Sequence, residues 1–229
     1  NYLTKKKCTA YIGFDCTAPS LHVGSLIQLM MLKWFQKCDN KPIVLVGGGT
    51  TKIGDPSGKD HSRPILDNNL INKNKKSLKS TFSKFLNFEK GSNKALMVDN
   101  QDWLDDINYI SFLRENGSLF SVNKLISLES MKQRLDREQN LSFLEFNYPI
   151  FQAYDFLVLN KKFDCKIQMG GSDQWGNIVN GTELIKRYSS KQVYGLTTPL
   201  ITLASGTKMG KTESGAIWLD EKLLSAYEY

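Results

Sequence analysis

The chain has 229 residues, of which 41% are hydrophobic and 11% aromatic, with a formal net charge of +7. That composition supplies a sizeable packed core and excludes a disordered chain, while the charge suits a polyanionic partner such as nucleic acid. No apolar run reaches the roughly 18 residues that cross a membrane, and the start NYLTKKKCTA has no apolar signal core, so a soluble protein with no membrane partner is expected.

The first apolar run, TAYIGFD over 9–15, reads as a buried strand. Asp15, Thr17 and His22 follow it, and then a helix with Leu26, Leu29, Met30 and Phe35 at helical spacing. His22 and Gly24 fall at the amino end of that helix, where free amides and the macrodipole favour phosphate. A second strand, PIVLVGG over 42–48, runs into GGGTTKIGDPSGK, whose five glycines permit close backbone approach to a ligand. The spacing matches neither G-x-x-x-x-G-K-[ST] nor G-x-G-x-x-G, so a P-loop and a dinucleotide site are not indicated. Asp55 within this loop is a candidate partner for an ammonium group. Residues 59–77, rich in Lys, Asn and Asp, read as a mobile connection, after which Leu78, Phe82, Phe85 and Leu86 mark a helix.

ALMVDN over 95–100 reads as a third strand, and Ile107, Ile110 and Leu113 as a helical stripe. Residues 117–147 are helical in character with mixed charge and interrupt the alternation, as an insertion between two halves of a sheet would. YPIFQAYDF over 148–156 sets Tyr148, Gln152 and Asp155 at spacings of four and three, hence on one helical face. Such a polar strip in an apolar helix is costly if buried without a partner. CKIQMGG over 165–171 is a fourth strand and opens GGSDQWGN, with Gly170 and Gly171 for close approach, Asp173 for a ribose diol and Gln174 as a two-way amide. Trp175 reads as a core residue. SGTKMGKTESG over 205–215 sets Lys208, Lys211 and Thr212 among glycines, a set able to neutralise a leaving pyrophosphate.

Strand alternating with helix predicts an α/β fold: a Rossmann-like parallel sheet with helices on both faces, whose ligands bind beyond the carboxyl ends of the strands. Cys8, Cys16, Cys38 and Cys165 form no C-x-x-C pair and have no histidine cluster nearby. Neither a metal site nor a disulfide framework is indicated, and a reducing, intracellular compartment is expected. The chain starts at Asn1 without methionine and stops at SAYEY within a helical pattern, as a fragment of a longer protein would.

In this order, YIGFDCTAPSLHVGS, LVGGGTTKIGDPSGK, FSVN, YPIFQAYDF, QMGGSDQWGN and GTKMGKTESGAIWLD resemble the bacterial-type tyrosyl-tRNA synthetases over nearly the whole chain. SLHVGS occupies the place of that family's HIGH signature and KMGKT that of its KMSKS loop. The resemblance implies activation of tyrosine by ATP, with Mg²⁺ assisting, followed by transfer of the tyrosyl group to tRNA(Tyr). Residue by residue, it implies that Tyr11 and Asp155 bind the phenolic hydroxyl. Asp55, Tyr148 and Gln152 would surround the α-ammonium group, with Gln174 near the carboxylate. Gly13, Asp15, Gly24, Ser25, Gly171 and Asp173 would hold the adenylate. Thr17 and His22 would grip the γ-phosphate, and Lys59, Arg63, Lys208, Lys211 and Thr212 would close over the pyrophosphate.

The same resemblance implies one catalytic domain over 1–229, with 117–147 supplying much of a homodimer interface and the family's anticodon-reading domains absent from these residues. A bacterial cytoplasm or an organelle would house it. Two residues depart from the family pattern. Cys16 stands where proline is usual, which is expected to loosen the turn. Ser25 stands where a second histidine would donate near the adenosine, and its shorter hydroxyl suits the first turn of a helix. Two other readings share parts of the pattern. A tryptophanyl-tRNA synthetase has the same signatures, although Tyr11 with Asp155 suits a phenol better than an indole, and a non-catalytic RNA-binding scaffold would keep the basic surface without the chemistry.

Overall fold

The computed structural model describes residues 7–57, 66–202, 209, 211–212 and 215–229, with 211, 212 and 215 described by backbone alone. Strands β1 (Thr9–Asp15), β2 (Lys41–Gly47), β3 (Leu96–Asp99), β4 (Cys165–Gly171) and β5 (Tyr194–Thr198) form one parallel sheet in the order β3-β2-β1-β4-β5. Four of them fall on the predicted runs. β5 is an addition: YGLTT lies at the sheet edge, has no fully buried position and offers no continuous apolar run.

The helices are α1 (Leu26–Lys37), α2 (Asn68–Phe85), α3 (Gln101–Leu104), α4 (Tyr109–Glu115), α5 (Val122–Ile126), α6 (Glu129–Asp136), α7 (Phe143–Phe146), α8 (Tyr148–Phe163) and α9 (Trp175–Ser189). They cover both faces of the sheet, which is why the strands read as continuous apolar runs. Ala10, Ile12, Phe14, Val44 and Val46 pack with Leu29 and Leu32 of α1 and Ile71, Leu78 and Phe82 of α2. Alternate residues Tyr11, Ile43 and Leu45 point the other way, onto Ala153, Phe156 and Leu157 of α8 and Leu184 and Ile185 of α9. A third cluster, Phe112, Leu125 and Ile150, ties the helical segments after β3 to α8.

Two sequence expectations are corrected here. The supposed mobile connection is helix from Asn68 onward: the Asp67 side chain caps it by accepting from the Leu70 amide at 2.8 Å. Ile71, Asn74, Leu78, Thr81 and Phe82 bury one stripe of α2. Lysines on the opposite face hid that periodicity behind a loop-like composition. In α4 the inward residue is Phe112, while Ile110 and Leu113 of the predicted stripe are exposed. Residues 117–147 are helical as expected: a 3-10 turn (Gly117–Leu119) followed by α5, α6 and α7.

The sheet is not continuous at its centre. β1 and β4 pair only as far as Tyr11 and Gln168, with a register shift between Thr9 and Ala10. Beyond that rung β1 stays with β2 to Asp15 and Gly47, and β4 stays with β5 to Gly171 and Thr198. The two central strands therefore part at their carboxyl ends, at the point where strand order reverses and α/β proteins bind ligands.

Candidate active site

A cavity of about 470 Å³ opens into this split, a size that suits a small ligand. Of the predicted site residues, Lys59, Arg63 and Lys208 lie outside the described residues, and only the backbone of Lys211 and Thr212 is described. All the others line the cavity.

Its floor is polar and buried. Tyr11 and Gln168 face each other across the last shared rung of β1 and β4 and are almost fully buried. The Tyr11 hydroxyl and Gln168 Oε1 have no hydrogen-bond partner among the described residues. Asp155 of α8, also buried, accepts from Trp103 Nε1 at 2.8 Å and from Asn100 Nδ2 at 2.9 Å. Burial pushes the Asp155 carboxyl up to about 8 against these two donors, and the carboxylates of Asp15 and Asp99 add to the rise. Burial first, then Asp155 and Cys165, raises the Tyr11 hydroxyl well above the usual phenol range. Asn100, Trp103 and Gln168 are not among the predicted residues: Asn100 and Trp103 stand outside the quoted motifs, and Gln168, inside QMGGSDQWGN, shows its place only once β1 and β4 pair.

Above the floor, Asp15 accepts the Thr50 hydroxyl at 2.8 Å and the Tyr148 hydroxyl at 3.0 Å. Asn100 joins this group to the floor: its Nδ2 also donates to Thr50 Oγ1 at 3.0 Å, and its Oδ1 accepts the Gly49 amide at 2.8 Å. A Cβ on Gly47 would stand 2.2 Å from Asp15 Oδ1 and 2.5 Å from Thr50 Oγ1. The protein's own network thus demands that glycine, whatever a ligand needs.

Asp55 heads a separate group. It accepts the Ser57 amide and Gln174 Nε2, each at 2.9 Å. Gln174 Oε1 accepts from Gln152 Nε2 at 3.3 Å and from Asn177 Nδ2 at 3.2 Å, and Asn177 Nδ2 also donates to Gln152 Oε1 at 3.0 Å. The polar face of α8 is therefore divided: Tyr148 reaches Asp15, Gln152 joins the Asp55 group, and Asp155 belongs to the floor. Trp175, expected in the core, is 54% exposed, because α9 turns Asn177, Ile178, Gly181, Leu184 and Ile185 inward instead.

At the rim, Gly13, Gly171, Asp173 and the exposed Thr17 share the cavity with His22, Gly24 and Ser25. His22 Nδ1 accepts the Gly24 amide hydrogen at 3.0 Å, so the neutral ring carries its own proton on Nε2. The Val23 amide donates to Ile217 O at 2.8 Å and the Leu219 amide to Leu21 O at 2.9 Å. A Cβ on Gly24 would stand 2.7 Å from His22 Cε1 and 2.9 Å from Met209 O, so the Met209 backbone lies against the histidine's turn. Strands β6 (Lys211–Thr212) and β7 (Gly215–Ala216) pair antiparallel beyond it.

The two family departures resolve differently from expectation. Ser25 makes no side-chain capping bond to α1, since its backbone is already helical at φ −89° and ψ −4°. The turn at Cys16 is not loosened: its amide donates to Thr51 Oγ1 and its carbonyl accepts from Asn74 Nδ2.

A family model described as tRNA synthetases class I (W and Y) matches residues 3–229. The chain is 62% identical to the tyrosine–tRNA ligase of Pelagibacter ubique, covering 99% of this chain and 56% of that protein. It is likewise 62% identical to the tyrosine–tRNA ligase of Wolbachia pipientis subsp. Culex pipiens, covering 96% and 52%. Among solved structures it is similar to a C-terminally truncated mitochondrial tyrosyl-tRNA synthetase from Coccidioides posadasii, with a TM-score of 0.81 at 30% identity, covering 99% of this chain and 66% of that one. The chain spans about half the length of the curated relatives it matches.

Proposed function

This chain belongs to the class I tRNA synthetases (W and Y), and from that premise we propose that it joins tyrosine and ATP as tyrosyl-adenylate, within a protein that charges tRNA(Tyr). The observation that carries the choice of tyrosine is the cavity floor, where the buried Tyr11 hydroxyl and Gln168 Oε1 lack partners among the described residues beside the buried Asp155 carboxyl. An apolar side chain seated there would leave these groups desolvated at about 1–3 kcal/mol each. A phenol both donates and accepts; an indole only donates, and phenylalanine does neither.

In this reading Asp55, Tyr148, Gln152 and Gln174 receive the amino-acid end of the substrate. Gly13, Asp15, Gly24, Ser25, Gly171 and Asp173 receive the adenylate. The tyrosine carboxylate is ionised at neutral pH, so it attacks the α-phosphorus without a general base. A carboxylate oxygen–phosphorus bond forms, the bond to the bridging pyrophosphate oxygen breaks, and pyrophosphate leaves with the electron pair. Thr17, His22, Lys59, Arg63, Lys208, Lys211 and Thr212 then serve catalysis by binding that growing charge more tightly than they bind ATP. Among the described residues no group of three or more His, Cys, Asp or Glu side chains is arranged to hold a metal. Mg²⁺, when present, would supply charge neutralisation to the phosphates of ATP.

The net charge of +7 supports a tRNA partner. Exposed Val122, Ile126, Leu135 and Phe143 support residues 117–147 as the face for a second copy of the chain. A bacterial cytoplasm or an organelle remains the proposed location. The deciding experiment is ATP–pyrophosphate exchange with tyrosine, tryptophan or phenylalanine supplied singly. Exchange driven by tyrosine alone is expected, and exchange driven by tryptophan, or by none of the three, rejects the assignment.

A further inference from the structure

The turn that brings Thr17 to the cavity rim is gripped from two sides. Cys16 is fully buried. Its amide donates to Thr51 Oγ1 at 2.7 Å, and its carbonyl accepts from Asn74 Nδ2 at 2.8 Å. Both partners are themselves buried, Thr51 at 3% and Asn74 at 2% exposure. They come from different elements, Thr51 from the 3-10 turn after β2 and Asn74 from the middle of α2. Thr50, one residue earlier, holds the Asp15 carboxylate, so two consecutive threonines hold two consecutive residues at the end of β1. Buried peptide groups need partners, and a tight turn commonly finds them in its own backbone. Here they are found in side chains 35 and 58 positions away. Burial foremost, with Asp15 next, pushes the Cys16 thiol up to about 12 against a side-chain hydrogen bond with Thr51, which keeps it protonated and unreactive.

We propose that Thr51 and Asn74 are positioning residues that clamp the two peptide groups of Cys16 and so fix where Thr17 presents its hydroxyl to the ATP phosphates. The inference rests on the phosphate-binding role given to Thr17 above. Peptide units are planar, so holding both units that flank Cys16 leaves little torsional freedom between Asp15 and Thr17. Charge stabilisation depends on such fixed geometry, and a small displacement of a phosphate ligand slows the chemical step while the amino-acid pocket is unaffected. The clamp also has a diagnostic dependence on the residue 16 amide. Proline at that position has no N–H and has φ fixed by its ring, which leaves the Thr51 hydroxyl nothing to hold and the turn no need of it.

The test compares the full chain with Thr51→Val, Thr51→Ser, Cys16→Pro and the Cys16→Pro/Thr51→Val double variant in tyrosine-dependent exchange. Loss of one neutral hydrogen bond predicts that Thr51→Val lowers kcat about fivefold and moves the KM for tyrosine by less than about twofold. Thr51→Ser restores the rate, and Cys16→Pro makes Thr51→Val silent. An active wild-type chain with kcat indifferent to Thr51→Val overturns the clamp and leaves the functional reading intact. Equal losses from Thr51→Val in both backgrounds, or a tyrosine KM that rises in step with the fall in kcat, show general loosening and overturn it as well. A wild-type chain without exchange overturns the functional reading and the clamp with it. Should Cys16→Pro not fold, the split between kcat and KM in Thr51→Val and its recovery in Thr51→Ser decide the matter.

Discussion

At His22 the ring is committed before any nucleotide binds. The Gly24 amide occupies Nδ1, which puts the proton of the neutral ring on Nε2. His22→Ala is therefore expected to slow tyrosine activation about tenfold or more, with tyrosine binding little changed. Ser25→Ala is expected to cost less, because Ser25 caps nothing and one neutral hydrogen bond to a ligand is worth about 0.5–1.5 kcal/mol. Gly24→Ala is expected to match His22→Ala, since its Cβ would meet both the ring and the Met209 carbonyl; exchange rates for the three variants check the order. Asp155 carries a different consequence. Its folded pKa of about 8 lies above the unfolded value of about 3.9, so the folded chain holds the extra proton between those limits. The stability this confers is complete below about pH 4 and is lost as pH rises towards 8. Urea midpoints for wild type should fall between pH 5 and 8 relative to Asp155→Asn, and parallel curves would show that Asp155 ionises normally. Tyr11, Asp15, His22 and Asp155 were legible because they sit in ordered motifs. Asn100 and Trp103 were not, because they stand outside those motifs; Thr51, Gln168 and Asn177, though inside them, were not, because what they face comes from segments distant in sequence.

Helix α2 shows how composition can conceal an element. Its lysines and asparagines look like loop, yet the buried positions Ile71, Asn74, Leu78 and Phe82 keep helical spacing beneath them. One of those positions, Asn74, reaches the active-site turn, so an apparent linker supports the site. The opposite case is the helical stretch after β3, whose character was legible and whose glue was not. Arg134 of α6 and Glu145 of α7 pair at 2.7 Å with side chains 3% and 4% exposed. Arg134 Nη1 also donates to Asn140 O at 2.6 Å, and Glu145 completes a capping box with Ser142. Eleven residues separate the pair, too many for a helical-neighbour rule to find. Glu145→Gln would strand a buried guanidinium, at a cost of about 3–5 kcal/mol. Much of that loss should be recovered when Arg134→Met is added, because the uncompensated charge then goes. Chemical denaturation of both variants checks this, and a double variant no more stable than the single would mean that the pair's geometry, and not its charge, holds α6 to α7.

Across the whole molecule, the alternation of apolar runs made the parallel sheet legible, whereas the parting of β1 from β4 was not, because pairing depends on partners far apart in sequence. That parting sets what these 229 residues can do unaided. The described walls of the cavity run from Tyr11 to Trp218, and Ile217 and Leu219 meet the His22 turn through main-chain bonds with Val23 and Leu21. On the proposed function, the described groups assigned to tyrosine and the adenylate all line this one cavity. Charging a tRNA makes a different demand, since a polyanion many times the size of tyrosine must be gripped along its length and told from others. The curated relatives are nearly twice as long as this chain, and that further length is available to them for such a grip. Expressed alone, the 229 residues are expected to sustain tyrosine-dependent pyrophosphate exchange while transferring tyrosine to tRNA slowly, with the shortfall lying in the KM for tRNA. Measuring both reactions on one preparation decides it. Efficient transfer at low tRNA concentration would mean that the surface around the split sheet recognises tRNA by itself, and the basic faces of α1 and α2 would then be the first to map.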